Sequence, residues 1–465
     1  MQLTGSPTAH SQRWLVAGLA AFFLILSIPY TKKVAETNLD DARSAFMRWQ
    51  NQILALSADI DIWEAYVYPN PPIMALLLMP LMQLPPVAAS LTWFIVKSAM
   101  AILAIHWLFQ MMESSGRPFP LIAKLAAILL ALRPLVGDLT HGNINLFILF
   151  LVVAGLYAYY RQRDITAGIL LALAIACKVT PALFVPYFLW KRAWWTLAGC
   201  FFGLILFFWI IPGLFFGQST NARYLNSWIN KMIVPYVLKG HVTPEHNNQS
   251  LPGLVYRLGS HAPSFSDDRD GYVPREYHNI LDLDTRILSW SIKGCMVLFV
   301  ILVAWSCRAP TQPRAGWQLL AEFSIVILGM LLFSERTWKH HCVTLLLPFT
   351  VLTYYLGTCQ VERKRKWFLI GALVAVILLM TLTGTGIGLD RIGKLAQVYG
   401  AYVWAFLLLI AAMVVMLRHQ PAPAPYAIHY HRQLVDVNLP DRDVRARSVS
   451  EALASSPLAN ASGSD

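Results

Sequence analysis

The sequence predicts an all-α polytopic membrane protein, and three observations carry that reading. Of the 465 residues, 57% are apolar and only 13% are charged, where a soluble domain carries about a quarter charged residues. The apolar residues gather into runs such as Trp14 to Tyr30 (WLVAGLAAFFLILSIPY) and Gly371 to Leu382 (GALVAVILLMTL), and a transmembrane helix needs about 20 of them. Such runs recur along the whole chain, and the polar clusters capable of chemistry fall between them.

Taken in order, candidate spans cover 14–30, 86–112, 120–136, 144–160, 194–216, 286–307, 316–334, 341–357, 367–386 and 399–417. The first is too long, and lacks the small-residue exit, for a cleaved signal peptide, so it is expected to stay as an anchor. Phe46, Trp49, Ile53 and Leu56 recur at helical spacing, which predicts an amphipathic helix that rests on the membrane or packs against the bundle. Residues 72–83 follow Pro71-Pro72, a helix start, and read as a helix lying at the surface. Within 165–190 an apolar stretch is interrupted by Lys178-Val179-Thr180-Pro181. Pro181 disrupts helix pairing and Lys178 is costly at that depth.

Counting crossings favours a re-entrant hairpin for 165–190, entering and leaving on one side. Arg161, Arg163, Lys191, Arg192, Arg308, Arg314 and the run Arg363-Lys364-Arg365-Lys366 then share one face. The positive-inside rule makes that face cytoplasmic. Residues 31–71, 137–143, 218–285 and 335–340 all fall outside, the third as a small ordered cap. The expected organisation is a cytoplasmic N-terminus (1–13), a membrane domain (14–417) and a disordered cytoplasmic tail (418–465) that opens with a Pro/Ala stretch. No internal repeat suggests an inverted-repeat transporter.

The net charge is +12, but the basic residues are scattered among short loops. That pattern marks a membrane face rather than a nucleic-acid partner. The six cysteines lie in or beside apolar runs without a CxxC pair. They read as small buried residues, indicating neither a disulfide framework nor a zinc site.

Four polar clusters come out on the outer side. Asp40-Asp41 follows the first span; a carboxylate there can take a proton from a sugar hydroxyl, or form a solvated pair or helix cap. His141-Gly142-Asn143-Ile144-Asn145 is a tight turn, where Gly142 permits the bend and Asn143 and Asn145 cap the next helix or bind a ligand hydroxyl. Asn248-Gln249-Ser250 lies in the cap and fits a glycosylation acceptor pattern. Trp338-Lys339-His340-His341 stands at the mouth of a span. Its histidines lack metal-ligand spacing, while Arg336 and Lys339 suit a phosphate. Lys178, inside the hairpin, suits a lipid phosphate or snorkels to the interface.

These motifs, in this order, resemble glycosyltransferase family 87 (DUF2029), polyprenyl-phosphate-sugar-dependent enzymes of the multi-span GT-C fold that include mannosyltransferases. The resemblance covers roughly residues 14–417. It rests on Asp61-Ile-Trp-Glu64 followed by Tyr68-Pro-Asn-Pro-Pro72, on Gly142-Asn-Ile-Asn145, on Lys178-Val-Thr-Pro181, on Asn248-Gln-Ser-Leu-Pro-Gly253, and on Ser334 with Trp338-Lys-His-His341. Asn143 stands where the family has Gln.

The resemblance implies a GT-C-type bundle in the plasma membrane with its site facing the extracytoplasmic side. It implies inverting transfer of a hexose, mannose by default, from a polyprenyl-phosphate-sugar donor to a lipid or glycan acceptor, with membrane lipids around it. Asp40 or Asp41 would be the general base. Arg133, Lys178, Arg336 and His340 or His341 would steady the departing phosphate, and His141, Asn143, Asn145, Asn248 and Gln249 complete the expected contacts. No metal or other cofactor and no nucleotide site are expected. Two rivals are a lipid or solute transporter and a glycan ligase using a diphosphate-linked donor. Few deep charges besides Lys178 are expected, which weighs against the transporter.

Overall fold

The computed structural model describes residues 7–37, 44–114, 116–265, 275–309, 314, 316–384 and 390–418. The chain forms α1 (Pro7–Ala35), α2 (Ala45–Leu54), α3 (Ile62–Tyr66), α4 (Pro72–Met82), α5 (Pro86–Glu113), α6 (Leu121–His141), α7 (Asn145–Tyr160), α8 (Asp164–Cys177) and α9 (Phe184–Trp190). Helix α10 (Trp194–Ile205) continues through a π turn into α11 (Ile211–Phe216), and α12 (Gln218–Trp228) continues likewise into α13 (Val234–Val237). Next come α14 (Leu251–Gly259), a two-stranded antiparallel ribbon of β1 (Pro263–Phe265) and β2 (Glu276–Tyr277), α15 (Thr285–Ser306) and α16 (Gly316–Leu332). A 3-10 turn (Lys339–Leu345) leads into α17 (Leu346–Thr358), and α18 (Arg363–Leu382), α19 (Asp390–Val398) and α20 (Ala401–Arg418) end the described chain. Among the described residues each of the ten expected spans is helical over most of its length, and seven helices are long and apolar enough to cross a membrane.

The bundle is built around α16, which buries every residue except Gln318, and around α7 and α17. Helix α15, by contrast, buries only Leu288 and Ile292, leaving an apolar surface that suits hydrocarbon.

Residues 165–190 do form a hairpin. Helix α8 breaks at Lys178, which is extended (φ −159°, ψ 122°), and a 3-10 turn at Thr180–Leu183 starts the return. The direction follows from helix packing. A methyl group on Gly199 would strike Ile165, one on Gly168 would strike Thr196 and Cys200, and one on Gly203 would meet Ile169 and Ala172. The contacts advance the same way along both helices, so α8 and α10 are parallel and begin at the same end. Gly199-Cys-Phe-Phe-Gly203 has the spacing that lets two helix backbones approach within a membrane.

The ends of the bundle separate as crossing parity requires. At one end Arg314 pairs with Asp164, Lys191 reaches Ala309 O at 2.8 Å, and Arg117 reaches Thr358 O at 2.8 Å. At the other, Ser44 meets His141 O, Asn143 meets His340, and Lys339 meets Thr383 O.

One sequence-based expectation changes and two are sharpened. Residues 72–82 turn one face into the bundle and keep the other outward: Ile73, Met74, Ala75, Leu78 and Met82 are buried, Leu77 is exposed, and the Gln50 amide of α2 donates to Met82 O and Leu84 O at 2.9 Å. The amphipathic helix α2 packs against the bundle, with Phe46 stacked on Trp93 and Trp49 edge-on to Tyr68. Deep charges are more numerous than expected. Lys97–Asp138 (3.1 Å), Lys124–Glu113 (2.6 Å) and Lys191–Glu322 (2.8 Å) are ion pairs whose lysines are almost wholly enclosed. Each charge is tolerated because its partner comes from a different stretch of chain, which a linear reading does not see.

The Asn248-Gln249-Ser250 segment is the fastening of the cap. Asn248 Nδ2 donates to Thr243 O and Glu335 O, while Oδ1 accepts from Ser250 N and Thr337 N. Gln249 spans from His246 O and Gln397 O to Tyr402 N. Ser250 caps α14 by accepting from Gly253 N. Behind them Arg257, fully buried, donates to five backbone carbonyls, among them Val398 O at 2.7 Å and Glu245 O at 2.8 Å.

Candidate active site

The turn between α6 and α7 organises the site. Gly142 sits in the left-handed region (φ 71°), and a Cβ there would strike Phe46 and Ser44, so both conformation and space require glycine. Asp138, fully buried, accepts from Asn145 Nδ2 (2.9 Å), Leu146 N (3.1 Å) and Lys97 Nζ (3.1 Å). Lys97 Nζ also donates to Asp138 O (2.7 Å) and Asn143 O (2.9 Å), which uses all three ammonium protons. The amide of Leu146, free at the start of α7, is thus met by Asp138 from the preceding helix. Neither Asn143 nor Asn145 supplies an N-cap bond of the kind expected, because the N-cap position falls on Ile144.

Two side chains lead from this turn towards polar groups of other helices. A carboxylate can only accept, so Asn145 must turn its NH₂ to Asp138 and its oxygen outward, where it accepts from Lys178 Nζ. Asn143 Oδ1 accepts from Ile144 N at 2.7 Å, and its Nδ2 contacts His340 Nε2 at 3.1 Å. His141, His340 and His341 follow one another with ring centroids 4.7 and 4.8 Å apart.

Beside this triad opens a cavity of about 420 Å³. Tyr30, Lys33, Val34 and Thr37 of α1 and its end line it, with Ser44 and Met47, with Arg133, Pro134, Gly137, Thr140 and His141 of α6, with Lys339 and His340, and with Tyr402. Arg133 donates to Met380 O (3.0 Å) and Lys339 to Thr383 O (2.6 Å), which holds both cations at the wall. A small void of about 20 Å³ lies behind it, bounded in part by Asn145, Lys178, Ser334, Thr337, His341 and Thr344, room for about one water.

The expected site residues therefore divide. Arg133, His141 and His340 line the cavity; Asn143, Asn145, Lys178 and His341 stand directly behind it. Asn248 and Gln249 are spent on backbone groups of the cap and of the segments it meets at Glu335, Thr337, Gln397 and Tyr402, and Arg336 turns to Thr243 Oγ1 (2.6 Å) and Glu335. Asp40 and Asp41 lie outside the described residues, although Thr37 and Ser44 on either side of that segment both line the cavity. Sequence reasoning missed Lys97 and Asp138. Their signal was an unpaired lysine within one span and an acid near the end of another, which together are a pair. Among the described residues no group of three His, Cys, Asp or Glu side chains is placed to hold a metal.

Fold and site together define a polytopic helical membrane protein with a cation-walled cavity at one end of its bundle. The sequence profile of glycosyltransferase family 87 matches residues 66–335, more than half the chain, and the protein belongs to that family. The chain is 25% identical over 265 residues to the polyprenol-phosphate-mannose-dependent alpha-(1-2)-phosphatidylinositol mannoside mannosyltransferase of Mycolicibacterium smegmatis, covering 56% of this chain and 51% of that protein. It is 25% identical over 325 residues, 67% of each chain, to the protein of the same name from Mycobacterium tuberculosis. To the pentamannoside mannosyltransferase of M. smegmatis it is 26% identical over 283 residues, 59% of this chain and 58% of that one. The matched region is about half to two thirds of these relatives' length. No solved structure matches.

Proposed function

We propose that the protein transfers mannose from a polyprenyl-phosphate-mannose donor to a lipid or glycan acceptor, at a site on the extracytoplasmic face of the plasma membrane, with inversion at the anomeric carbon. The observation that carries this reading is the cavity wall. Arg133, Lys339 and Lys33 surround a space of about 420 Å³, within the range of small-ligand sites. Cations at fixed positions suit a lipid phosphate both before and after it leaves. The mannosyltransferase relatives support the donor.

In this reading Asp40 or Asp41 deprotonates the acceptor hydroxyl, which attacks the anomeric carbon as the carbon–oxygen bond to phosphate breaks. The proton goes to the carboxylate and the electron pair leaves on the phosphate. Covalent connectivity supports the choice: Asp40 is three residues from Thr37 and Asp41 three from Ser44, so each is tethered within about 10 Å of a residue lining the cavity. The three buried ion pairs do not revive the transporter, because none of their members lines the cavity.

The test replaces Asp40 and Asp41 separately by Asn and assays transfer from a mannosyl polyprenyl phosphate in detergent. One variant is expected to lose at least about 100-fold in kcat; full activity in both removes the base assignment.

A further inference from the structure

We infer that His340 is fixed as the neutral Nδ1–H tautomer and serves as a hydrogen-bond donor to the substrate in the cavity, with Asn143 as the residue that positions it. The inference rests on the transferase reading for the identity of the substrate and on geometry for everything else.

Lys97, Asp138 and the backbone of Asn143 form one closed set, with Lys97 Nζ on Asn143 O at 2.9 Å. The backbone of residue 143 is thereby held from inside the bundle. The orientation of its amide is then decided by a neighbour that can only donate: Ile144 N–H lies 2.7 Å from Oδ1. The opposite orientation would set an NH₂ against that N–H. The group Asn143 offers to His340 is therefore Nδ2–H, and the ring nitrogen facing it at 3.1 Å, Nε2, must accept. A neutral imidazole whose Nε2 accepts carries its proton on Nδ1. Among the described residues Nδ1 has no hydrogen-bond partner, and the ring lines the cavity.

His340 then has one lone pair engaged and its other nitrogen protonated. It has no free base site, and its free group is an N–H donor beside the cations Arg133 and Lys339. A neutral donor aimed at oxygen of the sugar or phosphate stabilises charge that develops there, without first having to lose or gain a proton. His341 is set the other way. Its Nδ1 accepts from Trp338 N at 3.3 Å, which leaves its proton on Nε2, and it lines the small void rather than the cavity. The two adjacent histidines are opposite tautomers with different surroundings.

The experiment exploits the shapes of Asn and Gln, whose amides reach about as far as Nδ1 and Nε2 of histidine respectively. His340→Asn is expected to keep kcat within about 10-fold and His340→Gln to lose about 100-fold. The reverse order overturns the assignment. Long-range ¹H–¹⁵N correlation on the histidine-labelled full chain in micelles gives a readout independent of activity. Wild-type His340, identified by the signal lost in His340→Asn, is expected to show the Nδ1–H pattern, and Asn143→Asp, which offers an acceptor, to convert it to Nε2–H or imidazolium. An Nε2–H pattern in the wild type overturns the inference whatever the activity of the variants. If the wild type transfers no sugar from any lipid-phosphate donor, the transferase reading fails while the spectrum still decides the tautomer.

Discussion

At the cavity end, Lys97 and Asp138 are buried together and every hydrogen-bonding group they own is used on the turn that carries Asn143 and Asn145. At the opposite end, Lys191 and Glu322 are buried almost as deeply, with Tyr187 Oη on the carboxylate at 2.7 Å and Ala309 O on the ammonium. The two pairs have the same chemistry and near-equal burial, but it is the first that leads, through Asn143 and His340, to the cavity lined by Arg133 and Lys339. The second ties the return arm of the hairpin to α16 and ends there. Burial of a charge pair is thus no guide to function until the groups that hang from it are followed outward.

The largest expected effect separates the two ends. Asp138→Asn and Glu322→Gln each leave a buried lysine without its counter-charge, a loss of about 3–5 kcal/mol, and both are expected to lower the detergent unfolding temperature. Asp138→Asn should also cut transfer per folded molecule by about 100-fold, and Glu322→Gln should leave it within about 2-fold. Equal losses of turnover would erase the distinction.

A smaller effect contrasts glycines. Gly168→Ala drives a methyl group into the α10 backbone, whereas Gly137, on the cavity wall, has nothing within 4 Å. Gly168→Ala is expected to cost about 1–3 kcal/mol, and Gly137→Ala to leave stability unchanged while crowding the donor, which a rise in KM would register.

The smallest effect lies in the cap. Burial holds His246 down at about 4, below its ordinary 6.5, although Ser264 O opposes the shift. The neutral ring is the one that fits, so its contribution is complete above pH 6.5 and is lost as pH falls from there towards 4. Protection factors for hydrogen exchange across residues 241–265, taken against the intrinsic rate at each pH, should fall over that interval, and His246→Gln should remove the dependence.

Much of the fold was legible because membrane insertion imposes long apolar runs, and each expected span is helical at nearly the expected bounds. The hairpin was legible through the distribution of arginine and lysine; the parallel packing of α8 on α10 bears it out by a physical route, the close approach at Gly168 and Gly199. The site was legible in part. His141, Asn143 and His340 stood in segments that parity put together, whereas Lys97 stood mid-span with no visible partner, since Asp138 is 41 residues further on.

What the sequence by itself determined is the class: a helical membrane protein whose polar loops meet at one end, because apolar length and loop charge leave little choice. What only the tertiary structure decided is how each polar side chain is spent. Away from water a polar group is costly unless it finds a partner. Asn248, Gln249 and Arg257 find backbone carbonyls at Thr243, Gln397 and Val398, while the cavity leaves part of Arg133, Lys339 and His340 facing open space. Arginine serves in both sets; the surrounding geometry makes one set fastening and the other a site.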